Sequence, residues 1–312
     1  MEWKRDVAER GQRWMRDMRK AFLLGILASC FFAFTFILNR SMNLTGGYWG
    51  WSASLRYFFM LPILAVIVWR QKGMAQILRE IKDHLPVWLL WSTVGFGLFY
   101  APLTLGSVYG ESWMAAASWQ ITIVAGVLLT PLFGRPVPRK NLCMSMIILA
   151  GVFLIQVRPG TGIDLGQMVH ILLPVIVAAF CYPLGNRKMM AACPEQINTM
   201  QRVFGMTLCS IPFWIVLSGW SVVRSGLPGI GQVLQSACVA VFSGVVATLL
   251  FFRATDLVKE SPGKLAIVEA TQSFEVLFTL LGGILFLGDA APGAVGMAGI
   301  GLIVVGMICN NL

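Results

Sequence analysis

Two carboxylates and one guanidinium stand inside stretches of this chain that are otherwise apolar. Glu269 and Glu275 fall in the run Leu265–Leu287 with Gln272 midway between them, and Arg56 falls in the run Trp51–Trp69. At about 100° per residue the two glutamates lie roughly 120° apart around a helix, so with Gln272 they form a polar arc. Thr271, Glu275 and Thr279 add a second row at four-residue spacing. A carboxylate at the centre of a bilayer costs about 3 kcal/mol on insertion scales, so it must face a cavity or a partner. Two readings follow. In one, the glutamates bind protons and a cationic or polar solute by turns, because burial favours the uncharged form of a carboxyl group. In the other, a glutamate pairs with Arg56 and the pair simply holds helices together.

A second group of residues extends this pattern. Trp119-Gln120-Ile121-Thr122 occupies in the fourth apolar run the place that Phe274-Glu275 holds in the ninth. Gln120 precedes Gly134 by fourteen residues, and Glu275 precedes Gly288 by thirteen. An amide on one side and a carboxylate on the other predict an asymmetric site, suited to a solute with one charged and one neutral face. Trp119 and Tyr182, each beside polar residues within a run, are expected to line it. Phe31, Phe32, Phe34, Phe36, Trp113 and Trp214 are weaker lining candidates, and Trp49, Trp51, Trp69 and Trp220 belong to the interfacial belt. His84 and His170 sit at run boundaries with no second ligand at metal-site spacing, and the seven cysteines show no metal or disulfide framework. No nucleophile–base arrangement stands out inside the runs, and no Walker-type glycine loop occurs. The expectation is a protein that is not an enzyme, with no catalytic residue, metal or cofactor, and not driven by ATP.

The elements that must position these residues are ten apolar runs. The chain has 312 residues, 57% hydrophobic and only 12% charged, about half the charged fraction of a soluble domain. The spans are Ala21–Leu38, Trp51–Trp69, Leu85–Val108, Trp113–Phe133, Leu142–Val157, Met168–Leu184, Val203–Val223, Val233–Phe252, Leu265–Leu287 and Gly293–Cys309. All are read as helices, because helices satisfy their own backbone groups in hydrocarbon. Short signatures recur about 146–149 positions apart: Asn39-Arg40 and Asn186-Arg187, Arg56 and Arg202, Glu111-Ser112 and Glu260-Ser261. Five crossings per copy force the copies to be inverted. The fold expected is an all-α integral membrane protein of ten transmembrane helices in two inverted five-helix repeats, 21–157 and 168–309, joined by an extracytoplasmic linker at 158–167.

Charge placement orients this bundle. The net charge is +10, yet twenty of the Lys and Arg residues fall in loops on the N-terminal side and only Arg40, Arg158 and Arg224 on the other. That alternation is the positive-inside pattern, which predicts both termini in the cytoplasm of a cell with the protein in its plasma membrane, and it argues against nucleic acid as partner. Residues 1–20 read as a cytoplasmic amphipathic helix lying on the inner leaflet, with Trp3, Val7, Trp14 and Met18 on one face. Residues 74–85 read as a second interfacial helix. Pro102, near Gly95 and Gly97, marks a bend. The last run is dense in glycine and alanine, which suits either packing within the chain or the face of a homodimer, so monomer and homodimer both stand.

These features resemble the drug/metabolite transporter superfamily, the ten-helix EamA-like carriers, and most closely its multidrug resistance efflux branch. The resemblance spans Ala21 to Cys309. It is carried by Glu275-Val276, by Leu287-Gly288-Asp289 and by Leu149-Ala150-Gly151-Val152. Val276 stands where the family often has proline and Asp289 where it often has glutamate, and Phe133-Gly134-Arg135 has no acid. The resemblance implies export of small organic molecules, often driven by protons. The function expected is a secondary transporter working by alternating access, with the solute and protons as partners, set in a lipid bilayer. The alternative, a non-transporting membrane scaffold or regulatory subunit, rests on the amphipathic N-terminus and the glycine-rich last run.

Overall fold

A computed structural model describes residues 2–134, 136–137, 139–158, 162–258, 264, 267–268 and 270–311, and leaves aside the side chains of 2–15, 158, 162, 163 and 311. The described chain is helical apart from a two-residue antiparallel ribbon, Val157–Arg158 against Gly162–Ile163. Helix α1 runs Glu2–Leu44, α2 Trp49–Arg70 and the short α3 Met74–Asp83. Then come α4 (Leu85–Gly106), α5 (Ser112–Leu128), α6 (Arg139–Leu154), α7 (Leu165–Ala192) and α8 (Thr199–Ser225). The last three are α9 (Ile230–Asp256), α10 (Thr271–Leu287) and α11 (Ala294–Asn311). Among the described residues six helices are long and apolar enough to cross a membrane: α1 from Arg16 onward, α2, α4, α7, α8 and α9. Helices α5, α10 and α11 are shorter apolar helices. Val216, Leu285 and Phe286 are 74%, 73% and 78% exposed, a surface that water would penalise and lipid would not. The protein is an integral membrane protein.

Local sequence explains most helix ends. The Asn198 side chain accepts from the Gln201 amide at 2.9 Å while Gln201 Oε1 accepts from the Asn198 amide at 2.9 Å, a reciprocal cap that starts α8. Asp164 caps α7 by accepting from the Gln167 amide at 3.1 Å. Gly134 and Gly288, which follow α5 and α10, take the left-handed conformation (φ 71° and 67°), which costs glycine least.

Several boundaries differ from the sequence expectation, and three of the differences involve polar stretches. α7 does not stop at Leu184 but carries Asn186, Arg187 and Lys188 inside the helix. Arg187 stays helical because its Nη1 donates to the Gly126 carbonyl of α5 at 2.7 Å. α1 does not stop at Leu38 but continues to Leu44, because Asn39 is buried and its amide donates to the Tyr100 hydroxyl at 3.1 Å. Residues 2–20 belong to the same unbroken helix, with no joint before the first span.

The bundle is held by pairs of helices. α2 packs on α8, α6 on α11, α4 on α7, α1 on α9 and α10, and α5 on α7. α4 and α7 touch at Gly95 and Gly185, where a Cβ on Gly185 would come within 2.3 Å of the Gly95 Cα. A π turn, Thr93–Gly97, sits in α4 ahead of Pro102. A second π turn, Ala240–Ala247, sits in α9. The glycines of α11 serve packing within the chain at Gly299 and Gly306, which lie against α6. The largest core cluster lies between α2, α4 and α8, where Tyr57 stacks on Trp214 at 4.4 Å.

Candidate functional site

Helices α1, α2, α4, α5, α7, α9 and α10 surround a cavity of about 220 Å³. Arg56 enters from α2 and is only 8% exposed. Its Nη1 donates to Thr35 Oγ1 of α1 at 3.2 Å and its Nη2 to Ser243 Oγ of α9 at 3.3 Å. The two hydroxyls also bond each other. The guanidinium carbon lies 4.3 Å from the Tyr100 ring centroid, a cation–π contact. Arg56 Nε has no hydrogen-bond partner. Among the described residues no carboxylate bridges to Arg56, and the pairing with Glu269 entertained from the sequence falls outside them. Its charge is therefore held by two neutral hydroxyls and a ring face.

Glu275 enters from α10, 7% exposed, with its side chain in hydrogen-bonding range of the Gln120 amide. Gln120 is 3% exposed and also donates to the Ala116 carbonyl at 3.1 Å. It stands behind Glu275 rather than on the cavity wall. Gln272 lies on the wall, a turn away from Glu275. Trp119 and Tyr182 lie there too, ring to ring at 5.6 Å, each against Phe99 at 5.1 and 4.7 Å. Of the weaker aromatic candidates Phe32 and Phe36 reach the wall. Trp214 instead backs Tyr57, and Trp113 donates to the Ala290 carbonyl at 3.0 Å. Glu269 lies outside the described residues, so its place is not assigned. Sequence reasoning missed Thr35, Ser243, Tyr57 and Tyr100, which complete the surroundings of Arg56. The one signal for the first two was a hydroxyl inside an apolar run.

Polar contacts tie the bundle at both ends; toward α3, Gln201 Nε2 donates to the Gly73 carbonyl at 2.9 Å and to Gln76 Oε1 at 3.0 Å. At the end that carries the α1–α2 turn, polar contacts cross between helices. Asp289, just past α10, accepts from Ser112 N at 2.8 Å and from Ser112 Oγ at 2.6 Å, and its other oxygen lies 3.5 Å from Arg40 Nε. Trp51 donates to the Gly226 carbonyl at 2.9 Å, and Gln232 donates to the Tyr48 carbonyl and to Ser52 Oγ, each at 2.8 Å. At the other end, that of α3, a second cavity of about 780 Å³ lies beneath Gln71, Asn198 and Asp256 and shares Phe252 with the first. The inner cavity thus adjoins the second one at Phe252 toward α3, and the Asp289 contacts tie the helices at the opposite end.

Comparison with known proteins agrees with this architecture. The chain is 48% identical over 305 residues to the Bacillus subtilis (strain 168) protein named "Uncharacterized protein YjlA", covering 94% of each. It is 46% identical over 266 residues to a Shouchella clausii protein named "Uncharacterized 42.1 kDa protein in intracellular alkaline protease 3'region", covering 82% of this chain and 70% of that one. A solved crystal structure with 15% identity superposes with a TM-score of 0.62 over 93% of this chain and 95% of its own, which shows a shared fold. A family model named EmrE and described as "Putative multidrug resistance efflux transporter" matches residues 19–312. The chain belongs to the EmrE family of the drug/metabolite transporter superfamily.

Proposed function

We propose that this protein exports small organic molecules in exchange for protons, by alternating access to the cavity that holds Arg56 and Glu275. The observation that carries the reading is a cavity inside the bundle with the Glu275 carboxyl on one wall and the Arg56 guanidinium on another, tied by interhelix contacts toward Asp289 and adjoining a second cavity toward α3. Glu275 is the group that takes a proton when the solute leaves, with Gln120 holding its carboxyl. Trp119, Tyr182 and Gln272 line the solute's place. No catalytic step is needed. Glu269 keeps its role as a second proton site on sequence grounds alone.

Packing supports two inverted five-helix repeats. Exchanging the first five apolar helices with the second five turns α1-on-α9 into α7-on-α4, and α1-on-α10 into α7-on-α5. The pairs α2-on-α8 and α6-on-α11 turn into themselves. The π turns of α4 and α9 exchange in the same way. Inverted repeats give two states of similar energy, open to opposite sides, which is what a carrier needs. Charge placement supports a plasma-membrane protein with both termini in the cytoplasm, so the second cavity, beside α3, faces the cytoplasm. One chain supplies the described cavity, which supports a monomer as the working unit.

The test is counterflow in proteoliposomes with an imposed pH gradient and an internal pH dye. The solute panel is ethidium, tetraphenylphosphonium and the twenty common amino acids. The wild type should show solute-dependent proton movement with at least one of them. Glu275→Gln should abolish it while leaving the protein folded. An unchanged flux and pH profile in the variant would remove Glu275 from the mechanism.

A further inference from the structure

The cavity carries two charges of opposite sign that lie in each other's field but form no ion pair. Arg56 and Glu275 are each more than nine-tenths buried and both lie on the wall. Arg56 has no carboxylate partner among the described residues, and Thr35 and Ser243 offer it only neutral oxygens. Burying a guanidinium is costly, and a ring face with two neutral hydroxyls offsets only part of that cost. Its forked donors match the two oxygens of a carboxylate. Glu275 is met by the Gln120 amide and by the field of Arg56, and among the described residues no cation forms an ion pair with it. The walls between them are rings: Tyr57, Phe96, Phe99, Tyr100, Trp119 and Tyr182. The space of about 220 Å³ lies below the range of roughly 300–1,000 Å³ that drug-sized ligands occupy.

We infer that the cargo is a small zwitterion with an aromatic or apolar body, an amino-acid-like molecule whose carboxylate meets Arg56 and whose ammonium meets Glu275. This rests on the exporter reading and narrows it. A lipophilic cation would satisfy Glu275 and leave two positive charges in one small cavity. A simple organic anion would satisfy Arg56 and leave Glu275 without a cation. The zwitterion answers both and adds no net charge to the buried site, so the loaded carrier crosses between states without moving an extra charge through low dielectric. The ammonium and the proton compete for the same carboxylate, which couples release of one to uptake of the other.

The experiment compares four probes on the purified full-length protein: phenylalanine, phenylalaninamide, 3-phenylpropionate and tetraphenylphosphonium. Binding is read by intrinsic tryptophan fluorescence and by thermal shift. The amide and the propionate each lack one charge at constant ring, and each should bind at least about thirtyfold more weakly than phenylalanine. Arg56→Gln should bring phenylalanine and its amide within about threefold of each other. The wild-type comparison alone decides the matter if that variant does not fold. Amide or tetraphenylphosphonium binding as tightly as phenylalanine would overturn the zwitterion assignment and leave proton-coupled export standing with a cationic cargo. Equal binding of the propionate would overturn it in favour of an anion. If none of the four binds, the assignment falls. The exporter reading falls only if the proteoliposome panel is also silent.

Discussion

Asp289 is where a single substitution should move the whole bundle. Its carboxylate ties one end together by accepting two hydrogen bonds from Ser112, at 2.8 and 2.6 Å, and by facing Arg40 at 3.5 Å. The Asp289 side chain is 2% exposed and that of Arg40 19%. Ser112 begins α5, so the carboxylate also sits at the positive end of a helix dipole. Hydrogen bonds to a charged group contribute about 1.5–3 kcal/mol each. Losing both destabilises the sealed arrangement by at least about 3 kcal/mol relative to one in which water reaches Ser112. That shifts the ratio of sealed to open by roughly a hundredfold. Asp289→Ala removes every acceptor, whereas Asp289→Asn keeps one and should fall between. The assay is the labelling rate of a cysteine placed at Leu103, which is 2% exposed on the inner cavity wall, in a chain whose seven native cysteines are replaced. A membrane-impermeant thiol reagent added from the Asp289 side should label Asp289→Ala far faster than the parent, with Asp289→Asn intermediate. Equal rates in all three would refute the argument that this cluster holds the end shut.

Three further outcomes follow from the same coordinates. Gly185→Ala drives a methyl group to within 2.3 Å of the Gly95 Cα, so it should lower the melting temperature in detergent by an amount corresponding to about 1–3 kcal/mol or block folding. Gln201→Ala leaves the Asn198 cap of α8 in place but removes the acceptor of the Asn198 amide and the donor to the Gly73 carbonyl, each at 2.9 Å, and should destabilise the α3 end by about 2 kcal/mol, seen as faster proteolysis between α2 and α3. Burial pushes the Cys193 thiol up to about 11, with Glu80 adding to the shift and Arg202 opposing it. At pH 8 only about one thiol in a thousand is ionised, so labelling of Cys193 should be slow and should accelerate about tenfold per pH unit up to about 11.

The sequence announces its membrane helices because apolar runs leave little choice of structure. Each run holds a helix over most of its described part, and the larger differences fall at polar ends. Asn186, Arg187 and Lys188 read as a loop because charges normally leave the membrane; Arg187 stays because a carbonyl of α5 meets it. Asn39 is retained in α1 by Tyr100 in the same way. Arg56, Glu275, Gln272, Trp119 and Tyr182 could be picked out as polar or amphipathic groups in apolar surroundings, and the structure brings them to one cavity. Thr35 and Ser243 could not, since a lone hydroxyl in a helix is usually satisfied by its own backbone. Only the approach of α1, α2 and α9 turns them into partners of Arg56. The contact of Arg40 with Asp289 joins the first apolar run to the end of the ninth, and no local pattern carries that information.

The meeting of Gly95 with Gly185 has a mechanical meaning. Two backbones in direct contact have no side chains between them to compress, slide or repack, so α4 and α7 cannot drift apart at that point without opening a void. They can still pivot about it. The π turn beside Gly95 loosens α4 at that same level, which leaves a joint that is stiff to separation and soft to rotation, the behaviour of a scissor pin. Fixing that joint with a crosslink would freeze the angle between the two helices while leaving both ends of the bundle chemically untouched.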